Sequence, residues 1–199
     1  LLKERHSRGL LGDQYLVCAA AARNGDLEAL KALRAESLPW NWCTCSAAAE
    51  HGHLEVLIWA RANDCPWDET TCTNAAKGGH LETLKWACEN GCWWGEDTCE
   101  ATAEGGHLDV LKWAIDNGCW DRGWDHDNDR PDNALHYEHN THLCGVAALG
   151  GHLEVLQLLR ENGCPWDKLT CTNAAANGHL AVLQWARANG CPWDEETCS

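Results

Sequence analysis

Thr70-Thr71-Cys72-Thr73-Asn74-Ala75-Ala76-Lys77-Gly78-Gly79-His80-Leu81 leads into Glu82-Thr83-Leu84-Lys85-Trp86-Ala87 and closes at Asn90-Gly91, and this stretch holds the plan of the chain. Its Gly-His-Leu triplet recurs at Gly52, Gly79, Gly106, Gly151 and Gly178. The interval is the same from Gly52 to Gly79, from Gly79 to Gly106 and from Gly151 to Gly178; only that from Gly106 to Gly151 is longer. Gly25-Asp26-Leu27, one such interval before Gly52, is a decayed copy. Cysteine keeps the same register at Cys18, Cys45, Cys72, Cys99, Cys144, Cys171 and Cys198. Self-similarity at one fixed period marks a repeat array, whose units bury an apolar face only by stacking. Six units of this period fall at about 13–39, 40–66, 67–93, 94–120, 139–165 and 166–192. An insertion occupies about 121–138, and 193–199 opens a truncated seventh unit. The whole reads as a single solenoid domain, 1–199.

Each unit predicts two short helices. The first follows Thr-Cys and stops at the Gly of Gly-His-Leu; Asp68 and Glu69 beside it suit an N-cap and the positive end of a helix dipole. The second runs through His80 to Ala87 and ends at Asn90-Gly91, where Gly supplies the left-handed stop. Pro soon after, as in Gly190-Cys191-Pro192, prevents continuation. Asp64 takes the place of that Gly once, which Asp tolerates better than most residues. Leu81, Leu84 and Ala87 predict a buried stripe. Ala75 with Ala76, and Ala174 with Ala175, let neighbouring helices approach closely. Nothing in the chain alternates in the manner of a strand, so the expected class is all-α.

These residues resemble the ankyrin repeat. Thr70 to Leu81 is similar to that family's Thr-Pro-Leu-His-Leu-Ala-Ala-x-x-Gly-His-Leu signature, and Leu153-Glu154-Val155-Leu156-Gln157-Leu158-Leu159 matches its second helix. The resemblance covers 13–199 outside the insertion. The period is six shorter than the family's, which implies an ankyrin-like α-solenoid with the inter-repeat hairpins shortened. Cys-Pro-Trp-Asp occupies that turn at Cys65, Cys164 and Cys191. The resemblance further implies a protein-protein interaction scaffold with no catalytic residues and no cofactor. It places the contact surface on the first helix, at the two residues after each in-register Cys: Ser46 and Ala47, Thr73 and Asn74, Glu100 and Ala101, Gly145 and Val146, Thr172 and Asn173.

Composition narrows the function from another side. Fifteen Lys and Arg against 30 Asp and Glu give a formal charge of −15, the opposite of what phosphate neutralisation requires, so nucleic acid is not an expected partner. No apolar run is long enough to insert directly in a membrane, and the first twenty residues lack the core of a secretory signal. The chain has no Met, which reads as a processed or partial product, and the array is expected to continue past Ser199. Leu1 to Gly12, with four Leu but no repeat signature, reads as a remnant cap helix.

Three residue types invite a chemical reading. Twelve of the 14 Cys form the in-register column and a turn column at Cys65, Cys92, Cys119, Cys164 and Cys191; neither has the close spacing of zinc pairs. Small buried thiols are the simpler reading, with disulfides or a metal as alternatives, and free thiols imply an intracellular, reducing compartment. Trp stands at Trp59, Trp86, Trp113 and Trp185 in the second helix and at Trp40, Trp67, Trp94, Trp166 and Trp193 in the turn. An aromatic groove is conceivable, but recurrence in unit after unit favours a packed ladder, because binding surfaces vary between repeats. His53, His80, His107, His152 and His179 recur likewise and read as structural.

The insertion breaks the pattern. It contains Asp121, Asp125, His126, Asp127, Asp129, Asp132 and His136, followed by His139 and His142. A divalent metal site is one reading; a solvated loop or a partner-binding feature is the other, and no metal is expected. The residues expected to meet a partner are Thr73, Asn74, Glu100, Thr172, Asn173, Asp125, His126, Asp127, His136 and His139. Two other readings stand beside the scaffold: a spacer subunit of a large, even organellar, assembly, and a metal-binding role for the insertion.

Overall fold

The computed structural model describes residues 10–118 and 136–193; at 10–14, 96 and 136–141 it describes the backbone alone. The expectations for 1–9, for most of the insertion and for 194–199 lie outside the described residues. All regular structure among the described residues is helical, and the chain forms two compact units, one up to Trp94 and one from Gly95.

The first unit holds α1 (Leu10–Arg23), α2 (Leu27–Ala35), α3 (Trp42–Glu50), α4 (Leu54–Ala62), α5 (Glu69–Lys77) and α6 (Leu81–Glu89). The second holds α7 (Glu96–Gly105), α8 (Leu108–Asp116), α9 (His136–Gly150), α10 (Leu153–Glu161), α11 (Lys168–Ala176) and α12 (Leu180–Ala188). Consecutive helices pair within a repeat, and the first helix of each repeat packs on the first helix of the next: α1 on α3 and α3 on α5, then α7 on α9 and α9 on α11. The fold is an α-solenoid. None of its described helices is long and apolar enough to cross a membrane.

Local chemistry sets the helix ends. Asn41, Asp68 and Asp167 sit in extended backbone as N-caps of first helices, their side chains accepting from Cys43 N, Thr70 N and Leu169 N. Glu69 lies inside α5 as its first residue. Second helices end at Asn C-caps followed by left-handed Gly91, Gly118, Gly163 and Gly190, and Asp64 holds that conformation at φ 62°. The same position in the first repeat is Ser37, at φ 60°.

The core is a stack of small and branched side chains. Cys45, Cys72, Ala75 and Ala76 from first helices are fully buried against Leu57, Leu84 and Ala87 from second helices. In the second unit Leu111, Cys144, Ala147, Ala148, Val155, Leu156, Leu159, Ala174 and Val182 form one cluster. One expectation is corrected here. Leu81 is only partly buried, and Thr83 takes the buried place, in register with Val56, Val110, Val155 and Val182. Leu81 is the first residue of α6, where the chain is still entering from the Gly-His turn, so the stripe begins two residues later.

Candidate functional site

Most of the recurring side chains are occupied in joining repeat to repeat. The Gly-His histidines stand at the N-cap position of the second helices but make no cap bond. Their rings reach back instead. Nε2 of His53 meets the Arg23 carbonyl at 2.9 Å, His80 meets Glu50 at 3.1 Å, His152 meets Glu104 at 2.9 Å and His179 meets Leu149 at 3.0 Å. Each ring lies over the left-handed glycine of the preceding repeat, so that a Cβ on Gly52 would fall 2.4 Å from His80 Nδ1. The decayed repeat has Asp26 here, and Asp26 caps α2 itself by accepting from Ala29 N at 2.8 Å.

The tryptophans form a ladder. The turn Trp of a repeat meets the second-helix Trp edge-on, with centroids 5.8 Å apart for Trp40 and Trp59, 5.9 Å for Trp67 and Trp86, and 5.8 Å for Trp166 and Trp185. Its other side is covered by an arginine from the preceding second helix. The Arg34, Arg61 and Arg160 guanidinium carbons each stand 4.2 Å from the centroid of Trp40, Trp67 and Trp166, and Arg187 stands 3.7 Å from Trp193. Arg34, Arg61 and Arg160 also donate to the carbonyls of Leu38, Cys65 and Cys164. Sequence reasoning missed this arginine column, although Arg34 and Arg61, like Arg160 and Arg187, stand one full repeat apart and gave a readable signal.

The thiols are paired through space by a spacing that sequence reasoning also passed over. Twenty residues apart, Cys45 and Cys65, Cys72 and Cys92, Cys144 and Cys164, and Cys171 and Cys191 influence one another inside the repeat, and Cys72 and Cys144 donate to the carbonyls of Cys92 and Cys164 at 3.9 and 3.8 Å. The bond from its partner and then burial hold Cys45 and Cys144 far above the ordinary thiol range. Burial first, and then the bond to Cys171, pushes Cys191 up to about 12. Eleven described cysteines are free thiols, but Cys99 is disulfide-bonded, which corrects the expectation of free thiols at that position.

Among the positions expected to form the contact surface, Ser46, Ala47, Ala101 and Val146 are buried, which corrects the expectation for them: adjacent first helices pack on one another there. Thr73 and Thr172 turn their hydroxyls onto the carbonyls one helical turn back, Glu69 at 3.1 Å and Lys168 at 3.0 Å. Asn173 donates its amide to the Gly145 carbonyl at 3.0 Å, stitching α11 to α9. Glu100 pairs with His142 at 3.0 Å, linking α7 to α9 with both side chains well exposed. Asn74 is half-buried on α5. The structure thus brings Glu100, Thr172 and Asn173 onto first helices of the second unit, and keeps Thr73 and Asn74 in the first unit. Asp125, His126 and Asp127 lie outside the described residues, as do the side chains of His136 and His139, whose backbone opens α9. Among the described residues no group of three or more His, Cys, Asp or Glu side chains is arranged to hold a metal ion.

Helix pairs stacked through a Gly-His turn define a class of fold, the ankyrin repeat. The structure is similar to the crystal structure of the human ASB11 ankyrin repeat domain, with a TM-score of 0.62 over 88% of this chain and 84% of that one at 17% identity. No family model and no curated protein matches the chain. The likeness is one of fold, and the chain has the ankyrin-repeat fold.

Proposed function

We propose that the protein is a non-catalytic interaction scaffold that binds a protein partner along its first helices. The observation that carries this reading is a division of labour. The Gly-His and Trp-Arg columns join one repeat to the next and the Cys columns pack inside the repeat, whereas the partly exposed first-helix positions are left polar, with Thr-Asn in the third and sixth repeats and Glu100 in the fourth. Thr73 and Asn74 in the first unit and Thr172 and Asn173 in the second are one surface feature shown twice, and Glu100 with His142 is the feature specific to the second unit. Asp125, His126, Asp127, His136 and His139 would add an acidic and imidazole-bearing feature to the same partner.

Cross-linking mass spectrometry on the native protein, captured with its partners, tests this. Cross-links are expected to centre on α5, α7, α9 and α11, and Glu100→Arg is expected to remove them without changing helicity. Contacts spread evenly along second helices and turns would favour the spacer reading instead. Unchanged capture by Glu100→Arg would remove Glu100 from the contact surface.

A further inference from the structure

The third repeat departs from the others in one residue that bears chemistry. Where Arg34, Arg61, Arg160 and Arg187 stand in their repeats, the third has Cys88. Its Sγ lies 3.9 Å from Sγ of the fully buried Cys72, and it is half-buried, so one thiol of the pair reaches toward solvent and the other does not. Cys72 also meets Cys92 through its thiol and approaches the Cys92 carbonyl at 3.9 Å. Three thiols therefore converge where the second, fifth and sixth repeats hold two and an arginine. They are not arranged to hold a metal.

We propose that Cys72 and Cys88 form a reversible disulfide, oxidised by a low-molecular-weight disulfide such as oxidised glutathione. Cys88 gives its proton to solvent, and its thiolate attacks one sulfur of the small disulfide, forming a mixed disulfide and releasing one thiolate. Cys72 gives its proton to the thiolate released in the first step and attacks the Cys88 sulfur, expelling the second thiolate, which is protonated from solvent. Two protein thiols lose two electrons and two protons, and one small disulfide becomes two thiols.

The arrangement supplies what each step needs. Access lies at Cys88. Cys72, held well above the ordinary thiol range by its bonds to Cys88 and Cys92 and then by burial, keeps its proton until a base removes it. The thiolate released from the small disulfide is that base, since the Cys92 thiol itself donates to the Asp68 carbonyl at 3.2 Å. Closing from 3.9 Å to the disulfide length of about 2 Å requires side-chain rotation within a contact already made.

The full chain, equilibrated in glutathione buffers of graded potential, alkylated and mapped by peptide mass spectrometry, tests the proposal. A Cys72–Cys88 linked peptide is expected to appear while Cys45, Cys65, Cys144 and Cys164 remain free. Cys88→Arg, which restores the residue of the preceding repeat, is expected to lose that link at unchanged helicity, and Cys92→Ser to keep it. If either variant loses helicity, the linked peptide in the unaltered chain alone decides. A Cys72–Cys92 link in its place, no link at any potential, or stoichiometric zinc retained by the native chain would overturn the proposal.

Discussion

A glycine of one repeat and the Gly-His histidine of the next make the smallest joint of the array. Gly52 has φ 70°, and the His80 ring fills the space where its Cβ would stand. Gly178 has nearly the same backbone, φ 72°, with nothing within 4 Å of a built Cβ. The two sites separate backbone strain from the ring contact. A left-handed L-residue costs about 1–2 kcal/mol, so Gly178→Ala should lose about that much. Gly52→Ala should lose about 1–2 kcal/mol more, because His80 must abandon the Glu50 carbonyl to make room. Urea unfolding of the two variants measures the difference, and equal losses would mean that the ring contributes nothing to the joint.

A second helix ends where its arginine turns back over the next tryptophan. Arg61 donates to the Cys65 carbonyl just beyond the end of α4 while its guanidinium covers Trp67. Arg61→Ala should therefore cost about 1–2 kcal/mol, from the lost cation–π contact and charged hydrogen bond together. Arg61→Lys should recover only part of that, since an ammonium lacks the planar fork. Melting followed by tryptophan fluorescence checks both. The Trp ladder, the caps at Asp68 and Asp167, and the left-handed stops were legible in the sequence because each is written in residues close together or repeated at one period. The partners across the turn were not. The turn cysteine precedes the next Thr-Cys by seven residues, yet it meets the cysteine twenty residues before it, because the chain path through the helix pair, and not the spacing, decides which thiols touch. Asn173 read as a partner contact for the same reason: its bond to Gly145 depends on how closely two first helices approach. The arginine column carried a periodic signal that goes unnoticed when attention rests on the aromatic residues.

Within the second unit, the array passes the insertion without losing register. His152 reaches the Glu104 carbonyl at 2.9 Å across 48 residues of chain, whereas His179 reaches Leu149 at 3.0 Å across 30. The insertion accounts for the difference. Gly106 receives the His152 ring as Gly151 receives that of His179, and α9 packs on α7 while α10 packs on α8. The joint is therefore built from the same atoms with or without the extra chain. Closing a longer loop adds a cost that grows only logarithmically, about 1 kcal/mol for an insertion of this length. Helix α9 starts at His136, so an excision of 121–138 also removes three helical residues, but the repeat register places the start of this first helix near residue 141. Excising 121–138 and restoring a Pro-Trp-Asp turn should leave helicity unchanged and move the melting temperature by only a few degrees. Capture of the partner should weaken in the same variant if the insertion carries part of the contact. Circular dichroism with the capture assay separates the outcomes: two melting transitions would make the segment a structural support, and full capture would leave the first helices to bind alone.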